Sequence, residues 1–155
     1  MTGRTDLRGM AGTLPTPARI LGPAGLIPFA GLAVLALVSR EWRPDALRGL
    51  LTYGATIASL LGAVHWGLAL HPAPGEERAA WGRIGLGVLP ALAAWVALMM
   101  PGFRPGLISI AVILVVTALV ETLAARRGLI PAPYLWLRWG LSLGAAACLL
   151  LGALA

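Results

Sequence analysis

Five apolar stretches run through this chain, at residues 18–39, 47–70, 80–100, 105–125 and 134–155. Each is close to the run of about 20 residues that a helix needs to cross the hydrocarbon core of a bilayer. Apolar residues make up 59% of the 155 and charged residues only 12%, against roughly a quarter charged in soluble domains. A water-soluble fold of this size would leave much of that apolar surface exposed. In lipid every backbone N–H and C=O must be satisfied within the protein, and a helix does this locally. The expected fold class is therefore an all-α integral membrane protein, a five-transmembrane-helix antiparallel bundle. Residues 1–17, with Arg4, Asp6 and Arg8 among Gly, Thr and Pro, read as a flexible N-terminal tail, and 18–155 as the transmembrane domain. No internal repeat is visible.

The breaks between spans are short and chemically sensible. Arg40, Glu41, Arg43, Pro44 and Asp45 form the first loop, and His71 to Arg78 the second. Pro101, Arg104 and Pro105 make a tight third, and Arg126, Arg127, Pro131 and Pro133 the fourth. Loops of this length make successive spans run antiparallel. One side then carries Arg4, Arg8, Arg19, Arg78, Arg83, Arg126, Arg127 and Arg138; the other carries Arg40, Arg43, Arg48 and Arg104. The positive-inside rule places the richer side, with the N-terminus, in the cytoplasm. The expected location is a bacterial inner (cytoplasmic) membrane, crossed several times. A cleaved signal peptide is not expected in the tail, because the apolar span after it is too long and lacks a small-residue cleavage site, while its two arginines and single acid leave a short mitochondrial transit peptide open.

All twelve basic residues are arginine and the formal charge is +6. The arginines are scattered between apolar spans rather than clustered, which fits topology signals and excludes a nucleic-acid surface. Cys148 is the single cysteine and lies in an apolar run, so no intrachain disulfide or cysteine metal site can form. His65 and His71 are six apart and do not share a helix face, so no metal centre is expected.

The second span is the most patterned. In Tyr53 to Ala69, at about 100° per residue, Gly54, Ala55, Ala58, Ser59, Gly62, His65, Trp66 and Ala69 share one side. Ile57, Leu60, Leu61, Val64 and Leu68 share the other. Small residues on a helix let a neighbouring backbone approach, which drives association where lipid supplies no hydrophobic force between helices. Gly54, Ala58 and Gly62 are the expected packing residues here. Gly140 and Gly144, with Cys148 and Gly152, form a similar stripe in the last span, packing inside the bundle or between copies of the chain. Pro23, Pro28 and Pro90 lie within spans and are expected to bend them, with the freed carbonyls turned toward the bundle interior.

Antiparallel threading brings the intramembrane polar groups to one end. His65 is near the end of span two, Arg83 near the start of span three, Glu121 near the end of span four and Arg138 near the start of span five. An unpaired charge at mid-membrane costs around 2.5–3.5 kcal/mol, so Glu121 is expected to pair with Arg138, and His65 to donate to Glu121 or to a carbonyl freed by Pro28. Thr117 and Ser142 lie one turn away on the same faces. Tryptophans crowd this end as well. Trp81 and Trp136 suit an interfacial belt, whereas Trp66 sits on the small-residue face and could floor a pocket. His65, Trp66, Ser59, Arg83, Glu121 and Arg138 are thus the candidate ligand-binding residues, against the plainer reading of a structural polar cluster with snorkelling arginines. No nucleophile or carboxylate pair completes a catalytic unit, and no cofactor is expected.

The segments LGPAGLIPF at 21–29, YGATIASLLGAVHWG at 53–67 and YLWLR at 134–138 together resemble the domain of unknown function 3429 family, the transmembrane protein 69-like group. The resemblance implies a small polytopic membrane protein and supplies no activity. The expected role is a small inner-membrane protein binding a hydrophobic or amphipathic ligand, or a partner, at its Arg/His/Trp-rich cytoplasmic end. Alternatives are an assembly or scaffold factor for a larger membrane complex and, on architecture alone, a translocator-protein-like sensor or carrier. Expected partners are membrane lipids with a hydrophobic small molecule or a membrane protein; the last span's glycines leave a homo-oligomer open.

Overall fold

The structure, a computed structural model, describes residues 16–70, 80–125 and 132–155. The chain forms α1 (Thr16–Ala24), α2 (Ile27–Val38), α3 (Arg43–Leu70), α4 (Ala80–Leu98), α5 (Phe103–Ala125) and α6 (Ala132–Leu154). Most of the expected tail and the breaks at 71–79 and 126–131 lie outside the described residues, as do the side chains of Trp81 and Arg83. Thr16–Val38, Phe103–Leu123 and Tyr134–Leu154 are each long and apolar enough to cross a membrane. α4 contributes the shorter apolar run Gly87–Leu98. The 28 residues of α3 reach about 42 Å, with hydroxyls and charges diluting its hydropathy. This is a helical membrane bundle.

The first span is two helices rather than one bent rod. Pro28 falls in the first turn of α2, where its missing N–H costs nothing. Before it, Gly25 N donates to Leu21 O and Gly22 O, and Leu26 N to Pro23 O, closing a turn. The Gly25 carbonyl is left over, and the Tyr53 hydroxyl donates to it across 3.1 Å. The break therefore faces the bundle and is tied to α3.

α3 also begins earlier than the apolar pattern indicated, at Arg43 rather than 47. Pro44 and Asp45 suit a first turn, the one for its fixed φ and the other for its charge at the positive end of the helix dipole. Arg43 Nε donates back to Ala36 O at 2.9 Å, satisfying a carbonyl at the end of α2. Arg104 and Pro105 likewise belong to the first turn of α5. The third loop shrinks to a turn through Gly102, whose φ of +77° suits glycine.

α3 is the hub, packing on α2, α4, α5 and α6. Its buried stripe is Leu51, Gly54, Ala55, Ala58, Gly62 and His65, a helical repeat of small residues. A Cβ on Gly62 would lie 2.3 Å from Gly87 O, and one on Gly54 would lie 2.8 Å from Ile110. These glycines are what let α4 and α5 come so close. On α6 the close approaches are Gly144, against Leu26, and Gly152, against Leu50. Gly140 is exposed, with open space where a Cβ would stand, so it packs against nothing among the described residues.

Phe29, Leu50, Leu107, Ile110, Leu114 and Leu149 fill the centre, with alanines between them. Phe29 and Tyr53 meet edge to face, ring centroids 4.9 Å apart. Outward, Val38, Leu89, Leu92, Val112, Leu119 and Leu154 are exposed. A belt of large aliphatic side chains of this kind suits lipid and not water.

Candidate functional site

Three polar side chains on three helices converge below the surface. His65 comes from the C-terminal part of α3, Glu121 from the end of α5 and Arg138 from the start of α6. They are 5%, 1% and 3% exposed. Arg138 Nε donates to Glu121 Oε2 across 2.8 Å, and Nη1 donates to Ser142 Oγ one turn along its own helix. The remaining nitrogen, Nη2, and the remaining carboxylate oxygen, Oε1, are buried without a hydrogen-bond partner among the described residues.

His65 closes the third side at a greater distance. Its Nε2 lies 3.7 Å from Glu121 Oε1, too far for a hydrogen bond. Its Nδ1 is 3.2 Å from Leu61 O in its own helix. The carbonyl at the α1–α2 break is taken by Tyr53, not His65. Thr117, one turn before Glu121, turns its hydroxyl to Ile113 O.

The other expected site residues lie elsewhere. Ser59 is exposed, with its hydroxyl on Ala55 O. It lines an outer groove between α3 and α4 with Thr52, Thr56 and Trp95. Trp66 is 44% exposed and its indole lies against Gly87 of α4. Relative to the buried stripe, Ser59 and Trp66 sit roughly 60–80° round the helix, which takes them toward α4 and away from Glu121. Arg83 lies on α4, and its side chain is outside the described residues. The convergent set is therefore His65, Glu121 and Arg138.

A second tie between α5 and α6 escaped the sequence reading. Trp139 Nε1 donates to Thr122 Oγ1 at 2.9 Å, and that hydroxyl donates to Ala118 O. Each partner is the next residue after Glu121 and Arg138, so one antiparallel register sets both ties. That adjacency was the available signal.

Beside Arg138 is a cavity of about 350 Å³. Leu21, Gly22, Gly25, Leu26 and Phe29 form one wall, and Tyr53, Ile57, Leu60 and Leu61 another. Arg138, Leu141, Ser142 and Ala145 of α6, with Leu114 of α5, complete it. Ile57, Leu60 and Leu61, the aliphatic side of α3, thus line a cavity in addition to any lipid contact. Gly22, Gly25 and Leu26, around the α1–α2 break, supply part of its wall. Leu21 and Leu60, 69% and 60% exposed, mark the lipid side of the opening. Among the described residues, no three His, Cys, Asp or Glu side chains gather as a metal set.

Comparison with known proteins gives the same kind of molecule. The chain is similar to Transmembrane protein 69 of Xenopus tropicalis, 35% identical over 135 residues, which is 87% of this chain and 51% of the relative. It is similar to Transmembrane protein 69 of Mus musculus at 28% identity over 85 residues, 55% of this chain and 34% of that protein. The matches thus span about half or less of these curated relatives. No solved structure matches. The family described as Protein of unknown function (DUF3429) matches residues 14–154, nearly the whole chain, so the chain belongs to that family.

Proposed function

We propose that this chain is a non-enzymatic membrane protein that binds a hydrophobic or amphipathic ligand at its arginine-rich end. The observation that carries the reading is Arg138. A buried, ion-paired guanidinium belongs to the wall of a largely apolar cavity. On this reading Glu121 holds the guanidinium in place and His65 backs the carboxylate. The arginine asymmetry supports a cytoplasmic N-terminus in a bacterial inner membrane, with the cluster at the cytoplasmic end.

Native mass spectrometry of the gently solubilised full chain tests this. A retained small molecule is expected, and it should be lost in Leu141→Trp, which fills the cavity without touching the ion pair. Bare protein in both forms contradicts the reading.

The assembly or scaffold reading has its own support in the outer groove between α3 and α4. That groove, of about 300 Å³, is lined by Thr52, Thr56, Ser59, Ala91 and Ala94 with Trp95 and Leu98. Its hydroxyls are bonded to their own helix, Thr56 to Thr52 O and Ser59 to Ala55 O. What remains is a shallow small-residue surface suited to another helix. Under this reading the same spectra show a co-purifying subunit.

A further inference from the structure

Within the binding reading just given, we infer that the cavity seats one acyl chain of a membrane phospholipid, whose phosphate lies outside it on Arg19. A cavity of this kind holds water, nothing or hydrocarbon, and its wall decides between them. Arg138 and Ser142 belong to the wall but are 3% and 1% exposed, so neither offers a polar atom to an occupant. The Tyr53 hydroxyl is spent on Gly25 O. The rest of the lining is Leu, Ile, Phe, Gly and Ala. A water there falls short of the about two to four polar partners that hold one in place. Emptiness is no better, because a void deprives its lining of dispersion contacts. Hydrocarbon meets neither objection. The opening lies between Leu21 and Leu60, both exposed on the lipid side, where acyl chains are in large excess.

Size sets the class of occupant. An apolar cavity of about 150 Å³ takes benzene, six carbons, so one of about 350 Å³ takes roughly fourteen. That is one acyl chain, with no room for a second or for a head group. The wall follows the first span from Leu21 to Phe29, about 12 Å at 1.5 Å per residue. A seated chain therefore lies along the span, as chains do in the bilayer.

Arg19 identifies the head. It stands three residues before Gly22, which lines the cavity, and residues three apart share a helix face. It is exposed and lies on the side of Gly22 toward the start of α1. A chain in the cavity thus brings its own phosphate near a guanidinium, whose planar fork matches phosphate oxygens. A diacylglycerol gives Arg19 no anion.

The test uses the full chain in nanodiscs of phosphatidylglycerol, doped with the same lipid bearing a diazirine midway along one chain. After illumination, peptide mass spectrometry maps the adducts. They are expected on Leu61 and Leu141 in the cavity wall as well as on outward Val112 and Leu119. Leu60→Trp, on the lipid-exposed rim, should abolish the wall adducts and spare the outward ones. A second arm reads the head, by native mass spectrometry of the delipidated full chain. Dimyristoyl phosphatidylglycerol should bind more tightly than dimyristoylglycerol. Arg19→Gln should cut that preference about fivefold, the worth of one basic residue at a membrane surface. Adducts confined to outward side chains, or a preference unmoved by Arg19→Gln, overturn the phospholipid. If the protein then still carries another small molecule from its membrane, lost in Leu141→Trp, the binding reading stands; if it is bare, both fall.

Discussion

Arg138 Nε and Glu121 Oε2 stand 2.8 Å apart, joining α6 to α5 through side chains that are 3% and 1% exposed. The geometry makes them one unit: removal of either partner leaves the other buried and unpaired. Glu121→Leu and Arg138→Leu should each destabilise the protein by about 3–5 kcal/mol, read as thermal unfolding in mild detergent. The double variant Glu121→Leu/Arg138→Leu should recover most of that loss. Additive single effects would show that the two groups do not act as a pair.

His65 should behave differently, although it belongs to the same cluster. Its hydrogen bond is to Leu61 O of its own helix, and its Nε2 is 3.7 Å from the carboxylate. His65→Leu is expected to cost within about 1.5 kcal/mol, well below the cost of removing Arg138. Loss of expression in His65→Leu, comparable with Arg138→Leu, would make the imidazole a structural member of the ion-pair unit.

The glycines separate by contact. A Cβ at Gly62 would meet Gly87 O at 2.3 Å, while one at Gly140 would meet nothing within 4 Å. Gly62→Ala should lower stability by about 1–3 kcal/mol, through forced separation of α3 and α4. Gly140→Ala should be neutral or stabilising by up to about 1 kcal/mol, the difference in helix propensity. Equal effects at the two positions would contradict the packing described.

Tyr53→Phe removes the hydroxyl that donates to Gly25 O at the α1–α2 break. The expected cost is about 1 kcal/mol, with faster hydrogen exchange at the Gly25 and Leu26 amides and little change in α5. Unchanged exchange at the break would mean that the turn holds without α3.

Much of this architecture is legible in the residues, for identifiable reasons. Span length and loop length follow from bilayer thickness and chain connectivity, and antiparallel threading alone brings His65, Glu121 and Arg138 to one end. The buried stripe Gly54, Ala58 and Gly62 follows from a 3.6-residue period. The cavity is a different matter. Part of its wall stands where Pro23, Gly25 and Pro28 split a rod in two, and a proline pattern announces a bend without giving its direction. Ser59 and Trp66 share a broad helical face with His65, but a face well over 100° wide serves two neighbours, and these two residues turn to α4. Gly140 continues a four-residue repeat, yet α6 rotates it outward while Gly144 and Gly152 pack.

The central claim is that the cavity beside Arg138 is open to the membrane and occupied there. A cryo-electron microscopy map of the full chain in native-lipid nanodiscs tests it most directly. The account predicts elongated non-protein density running through the cavity to the gap between Leu21 and Leu60. A cavity collapsed by closure of α1 on α3, with no such density, would contradict it.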